Sequence, residues 1–238
     1  MEYNTKSMRI DIITLFPEMF EGPFGTSMLK KAQNDGLVEI NIHNLRNWAA
    51  DKHKTVDDRP YGGGPGMILR VDIIDKAVLS LKKGRKSTKV ILLDAGGKRL
   101  TQSIAKTLAK SKHHILIAGH YEGVDHRVHQ HLVNEVISIG DFVLTGGEIP
   151  AMVIVDSVVR LLPGVLDEET VELESFSQPS TISHQPLAIL EYPQFTRPEN
   201  YKGWKVPDVL TSGNHAEITK WRNKKALDIT TKKRPDLL

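Results

Sequence analysis

The chain has 238 residues, 39% hydrophobic and 26% charged, a balance ordinary for a soluble globular protein with room for one large domain or a medium and a small one. It has no cysteine, which excludes disulfides, zinc–thiolate sites and a cysteine nucleophile, and a net charge of +3 gives it no global polyelectrolyte character. No apolar run approaches the roughly 18 residues of a membrane span, and the polar residues 1–7 lack the apolar core of a secretory signal, so a cytoplasmic protein is expected.

Residues 8–16 are apolar and β-branched, which predicts a strand ending at Pro17. A helix over 27–34 is stopped by Gly36, and 37–43 reads as a second strand. Over 48–67 the periodicity fails: acids, bases and Gly62-Gly63-Gly64-Pro65-Gly66 make a long polar loop of the kind usually kept for function. A helix is expected over 71–83. A short buried strand at 90–93 runs into Asp94-Ala95-Gly96-Gly97, and Thr101 caps a helix over 101–109. A second buried strand, 115–118, ends at Gly119-His120-Tyr121-Glu122-Gly123. After a helix over 125–132, a third strand over 136–139 leads to Gly140, and Pro150 opens a helix to 162. Short apolar strands alternating with helices predict an α/β fold with a mainly parallel sheet. Such sheets bind ligands beyond the carboxyl ends of their strands, where the three glycine turns gather. Beyond Leu162 the prolines and the acidic run Asp167-Glu168-Glu169 read as a linker into a small second domain, with a helix near 216–227.

The common nucleotide signatures are missing. The glycine loop has no Gly-Lys-Ser/Thr ending, and no Gly-x-Gly-x-x-Gly follows a strand. Neither a serine elbow nor a kinase signature is present. His126, His129 and His131 lie close together without an accompanying carboxylate pattern and read as a surface helix rather than a metal site. The stretch 137–150 turns on Gly140 and Gly146-Gly147 with Ile139, Phe142 and Leu144 between. It suits a flat, partly apolar ligand such as an adenine nucleoside, or else a tight structural turn. The basic end, from Lys220 to Arg234, either meets phosphates or is a solvated helix face.

Taken together, these blocks resemble the bacterial tRNA (guanine-N1)-methyltransferases of the knotted SPOUT class. The resemblance rests on Leu15-Phe16-Pro17-Glu18-Met19-Phe20, all of 55–67, Tyr121-Glu122-Gly123, Ser138-Ile139-Gly140-Asp141, Gly146-Gly147-Glu148 and Asp156-Ser157. Pro163-Gly164-Val165-Leu166, Thr196-Arg197-Pro198 and residues 212–218 extend it over nearly the whole chain. It implies a deep trefoil knot around the three glycine turns in a domain spanning 1–165, an interdomain linker over 166–182 that carries the catalytic acid, and a mostly helical tRNA-binding domain over 183–238.

The resemblance also implies S-adenosylmethionine as methyl donor, with a pocket of Leu93, Asp94, Ala95, Gly119, Tyr121, Glu122, Gly123, Ile139, Gly140, Asp141, Phe142, Val143, Leu144, Gly146, Gly147 and Pro150. Glu122 reads either as a hold on the donor or as a helix-cap acid. N1 of guanine carries a proton, so the chemistry asks for a carboxylate base and a cation near O6. Arg160 matches the family's catalytic arginine. The family's base is an aspartate in Asp-Ser-Phe, where this chain has Glu174-Ser175-Phe176; Glu174 is the expected base, with Glu169 and Glu172 as neighbours. His120 and Thr145 stand where arginine and serine are common. By the same resemblance the substrate is tRNA with guanine 37 after guanine 36, met by Asp57, Arg59, Pro65 and His215. The active site lies at the interface of a homodimer, with Glu174 reaching across from the partner chain. Mg2+ is a candidate auxiliary, although no metal-ligand pattern is legible. Two rivals are a related methyltransferase for another nucleotide and a non-catalytic RNA-binding relative; the intact glycine turns and Arg160 weigh against the second.

Overall fold

The computed structural model describes residues 7–85, 87–177 and 189–238. The chain divides into two compact units, Met1–Leu166 and Asp167–Leu238.

In the first unit, β1 (Met8–Thr14) is followed by α1 (Glu21–Phe24), α2 (Ser27–Asn34) and β2 (Val38–Asn44). The short strands β3 (Asp57–Asp58) and β4 (Ile68–Leu69) bracket the glycine-rich loop and lead to α3 (Val71–Lys82). There follow β5 (Thr88–Arg99), α4 (Gln102–Ala109), β6 (His113–Ala118), α5 (His126–His131), β7 (Glu135–Ser138) and α6 (Glu148–Val159). Five strands make one sheet in the order β2-β1-β6-β5-β7, and every neighbouring pair is parallel. The α/β architecture follows from the strand composition. Strand β6 is buried at all its positions, as a strand covered on both faces must be. Side chains along β5 alternate between two cores. Ile91 and Leu93 join Ile12, Leu116, Ile154 and Val158 under α4 and α6; Val90 and Leu92 join Ile74, Ile115, Ile117 and Val128 under α3 and α5.

Local capping follows the residues. Thr101 accepts a hydrogen bond from Ile104 N, and Asp125 accepts one from Arg127 N. Helix α6 begins two residues before Pro150, which sits in its first turn, where a missing N–H costs nothing. One expectation is corrected. Residues 94–97 do not end β5; they loop out within it, so that both Leu93 and Lys98 stand opposite Ile137 of β7. The cause is a close backbone approach, since a Cβ on Gly97 would lie 2.6 Å from Ile137 N. The loop over 48–67 is also more structured than its composition suggests. Asp51 accepts from His53 N, Thr55 N and Thr55 Oγ1, and the β3–β4 ladder closes the loop's foot.

In the second unit, α7 (Glu168–Leu173) occupies part of the expected linker, whose residues 178–182 lie outside the described residues, as do 183–188 of the expected C-terminal domain. Phe176 N donates to Ile189 O, and Ser175 Oγ accepts from Glu191 N. The hairpin β8 (Asn200–Tyr201) and β9 (Trp204–Lys205) and the short α8 (Asp208–Thr211) precede α9 (His215–Lys233). Helix α9 is longer than the expected 216–227 and carries most of the basic residues on exposed faces.

Two polar groups inside the first unit were not foreseen. Asp11 is fully buried and accepts hydrogen bonds from Arg9, His43 and His113 at 2.7–2.8 Å. Burial opposes its ionisation, but the donors, His113 first, outweigh that and hold its carboxyl far below the usual carboxylate range. His114 is buried under α4, where Nε2 donates to Leu108 O at 3.0 Å, and burial pushes its imidazole down to about 4. The unfolded chain therefore takes up a proton at His114 that the native state refuses. That contribution to stability is complete above about pH 6.5 and declines as pH falls toward 4. Urea unfolding at pH 7.5 and pH 5 should show the loss in the native chain. In His114→Leu the loss should be smaller by about 2 kcal/mol, at about 1.4 kcal/mol per pH unit.

Candidate active site

Three chain segments meet beyond the carboxyl ends of β5, β6 and β7. Residues 92–95, 119–124 and 137–147, without Asp141, line a cleft of about 300 Å³, and Pro150 of α6 completes it. The segments hold one another by backbone. Gly147 N donates to Gly119 O at 2.7 Å, and His120 bridges to Gly146. A Cβ on Gly147 would stand 2.7 Å from Ala118 Cα and 2.9 Å from Gly119 N, so no other residue fits without moving the main chain. Tyr121 is held in the left-handed region at φ 59°, which costs a non-glycine residue on the order of 1 kcal/mol. The polar loop supports this turn, because Glu122 N donates to Met67 O while Leu69 N and Asp125 N close a short ladder with Gly123 O and Leu69 O. The foot of the glycine-rich loop is thus part of the cleft's rim.

The lining has a definite chemistry. Phe142, Val143 and Leu144 are exposed apolar side chains on one wall. Asp94 and Glu122 bring carboxylates, and among the described residues neither lysine nor arginine lines the cleft. Such a site favours a ligand with a flat apolar part and positive charge over one bearing phosphates. Asp94 Oδ1 accepts from Gly96 N at 2.8 Å, and its Oδ2 lies 3.5 Å from His129 Nε2. His129 is therefore not a surface residue like His126 and His131; it turns toward the cleft, with His126 stacked on it at 5.1 Å.

All the residues expected to hold the donor, except Asp141, are brought together here. The Asp141 side chain is 89% exposed and lies 3.7 Å from Arg99 Nη1. Sequence reasoning passed over Glu148, which is 1% exposed directly behind the third turn. Its Oε1 accepts from Thr14 Oγ1 at 2.8 Å, and its Oε2 lies 3.6 Å from His120 Nδ1. Its signals were its place in the Gly146-Gly147-Glu148 block and a charged residue in an otherwise apolar helix start.

Other expected site residues lie elsewhere. Asp57 is in β3, and Arg59 and Pro65 are exposed on the loop above it. Arg160 is the C-cap of α6. With a rise of about 1.5 Å per residue, it lies on the order of 20 Å along the helix from Gly147. In the second unit, Glu174 is the C-cap of α7 and lines a cleft of about 220 Å³ with Glu169, Glu191 and Arg222, and His215 is exposed at the start of α9.

A family model described as tRNA (Guanine-1)-methyltransferase TrmD matches residues 8–238. The chain belongs to that family. Among its relatives, a tRNA (guanine-N(1)-)-methyltransferase of Dictyoglomus turgidum is 58% identical over 97% of this chain and 90% of its own length. The protein of the same name in Bacillus subtilis is 52% identical over 97% of this chain and 92% of its own, and that of Geobacter sp. strain M21 is 50% identical over 97% and 90%.

The close approach at Gly147 makes a direct test. Gly147→Ala should cost about 1–3 kcal/mol by overpacking and should open the cleft, because the displaced atoms are main chain. Thermal unfolding and hydrogen exchange at residues 118–121 would report it. Unchanged exchange would contradict the contact.

Proposed function

We propose that the chain transfers a methyl group from S-adenosylmethionine to N1 of guanine 37 of tRNA. The observation that carries this reading is the family match over residues 8–238. The cleft fits the donor: its apolar wall suits an adenine, its turn backbones offer hydrogen bonds, and Asp94 and Glu122 suit a cation. When bound, S-adenosylmethionine supplies an electrophilic methyl on a positively charged sulfur. The glycine turns hold it and exclude bulky side chains. The chain around the three glycine turns is threaded into a deep trefoil knot, a reading that the close backbone approaches at Gly97 and Gly147 support.

Glu174 takes the proton from N1, and Arg160 balances the charge that then spreads onto O6. Asp57, Arg59, Pro65 and His215 meet the tRNA beside guanine 36, and the basic α9 meets its phosphates. In one copy of the first unit, the length of α6 keeps Arg160 away from the donor cleft. A homodimer, in which Glu174 of one copy reaches across to the other's cleft and the same copy's Arg160 serves it too, removes that separation. Among the described residues no group of three or more His, Asp and Glu side chains assembles to hold an ion. Among the same residues no helix is long and apolar enough to cross a membrane.

Labelled methyl transfer to transcripts carrying guanine or adenine at position 37, with the product nucleoside identified by mass, tests the reaction. 1-Methylguanosine should form from the first transcript alone; equal methylation of the second would overturn the base chemistry, and no donor binding in calorimetry would overturn the enzyme reading. Glu174→Gln should lower kcat by at least about 100-fold, whereas a wild-type rate would move the base to Glu169 or Glu172. Mixing Arg160→Ala with Gly140→Val, each inactive alone, should restore activity if two copies build each site. Two inactive variants that stay inactive when mixed, despite exchange of subunits, would rule this out.

A further inference from the structure

The second unit carries a surface that the methyl-transfer chemistry does not use. Strands β8 and β9 pair only at Asn200–Lys205 and Tyr201–Trp204, around a turn in which Gly203 N donates to Asn200 Oδ1. Directly opposed residues of an antiparallel pair share a face, so the two aromatic rings stand together, with centroids 5.8 Å apart and planes at 64°. Lys202 Nζ lies over the Tyr201 ring at 5.3 Å, and Trp204 lies at that ring's edge. Trp204 itself is 72% exposed and Tyr201 51%. Single exposed apolar residues are ordinary. A contacting Tyr–Trp pair on a two-residue ladder, between the exposed Lys202 and Lys205, adds nothing to a core and presents an open indole face.

The hairpin does not stand alone. Glu199 and Val206, which flank it and are joined by the hydrogen bond from Val206 N to Glu199 O, line a cleft of about 430 Å³. Tyr192, Phe195, Arg197 and Arg222 line the same cleft, and the Arg222 guanidinium covers the Tyr192 ring at 4.7 Å. Two arginines against the single carboxylate of Glu199 leave the cleft net positive. Aromatic faces set among cations are what unpaired nucleotides require, because every base has a face to stack and every phosphate a charge to meet.

We propose that Trp204, braced by Tyr201, is a stacking platform for an unpaired base of the RNA substrate, while Lys202, Lys205 and the Arg197–Arg222 cleft take the adjoining phosphates. The inference rests on the RNA-modifying reading above and adds to it a base contact outside the reacting nucleotide.

Equilibrium binding of tRNA transcript and steady-state methylation, with Trp204→Ala, Trp204→Phe and the double variant Lys202→Ala/Lys205→Ala, test it. Trp204→Ala should raise Kd and KM for tRNA by roughly 5- to 150-fold, the range for loss of one stacked base, and leave kcat at saturating tRNA unchanged. Trp204→Phe should restore most of the affinity. The lysine variant should lower the slope of log affinity against log salt by about 1 per lost phosphate contact, and Trp204→Ala should not change it. Trp204 is exposed, so its removal should leave the melting temperature in place. Unchanged tRNA affinity in a folded Trp204→Ala would overturn the proposal. So would a change in sedimenting mass with unchanged RNA binding, which would give the surface to a protein partner. Failure of the intact protein to bind tRNA at all would overturn the RNA reading itself rather than this subsite alone.

Discussion

The contact between Gly147 and the Ala118–Gly119 backbone is the constraint on which the first unit depends. There a helix start is pressed against the end of a central strand with no room for a side chain. The same condition recurs where Gly97 meets Val136 and Ile137. Because main chain packs on main chain, the three turns become one rigid frame rather than three loops. The cleft they leave is shaped by carbonyls and amides whose positions no rotamer change can alter. Tyr121 is kept in its left-handed conformation by that frame and by the ladder at the foot of the glycine-rich loop.

The frame is built on polar anchors as well as apolar ones. Glu148 is held behind the third turn by Thr14 of β1 and stands near His120 of the second turn, so three elements share one buried carboxylate. Asp11 does the same for the β2, β1 and β6 side of the sheet through His43, Arg9 and His113. A buried charge such as that of Asp11 is costly unless its lone pairs are used. At Asp11 four donor groups share the two oxygens, and its carboxyl is held far below the ordinary range.

Helix α6 links the cleft to the rest of the unit. Its first turn closes the cleft with Pro150, its buried side joins the core under the sheet, and its last residue leads to Arg160. The rise of a helix is fixed by its hydrogen bonds. Pro150 and Arg160 are therefore held at a fixed separation, on the order of 15 Å along the helix.

Most elements of the first unit were legible in the sequence, because burial on both faces of a parallel strand leaves short runs such as Ile115-Leu116-Ile117-Ala118, and caps such as Thr101 use local geometry. The glycine turns were legible for the same reason, since a turn that admits no Cβ must be written in glycine. Features set by distant contacts were not. The excursion of 94–97 within β5, the inward turn of His129 and the anchoring of Glu148 all depend on atoms contributed by distant parts of the chain. Local residues thus determined which segments are strands, helices and turns, and the motif blocks determined the family. Only the tertiary structure decided which turns touch, which carboxylates are buried, and which expected residues share the cleft. Close approach and desolvation are properties of pairs of segments, and neither segment's sequence alone contains the distance between them.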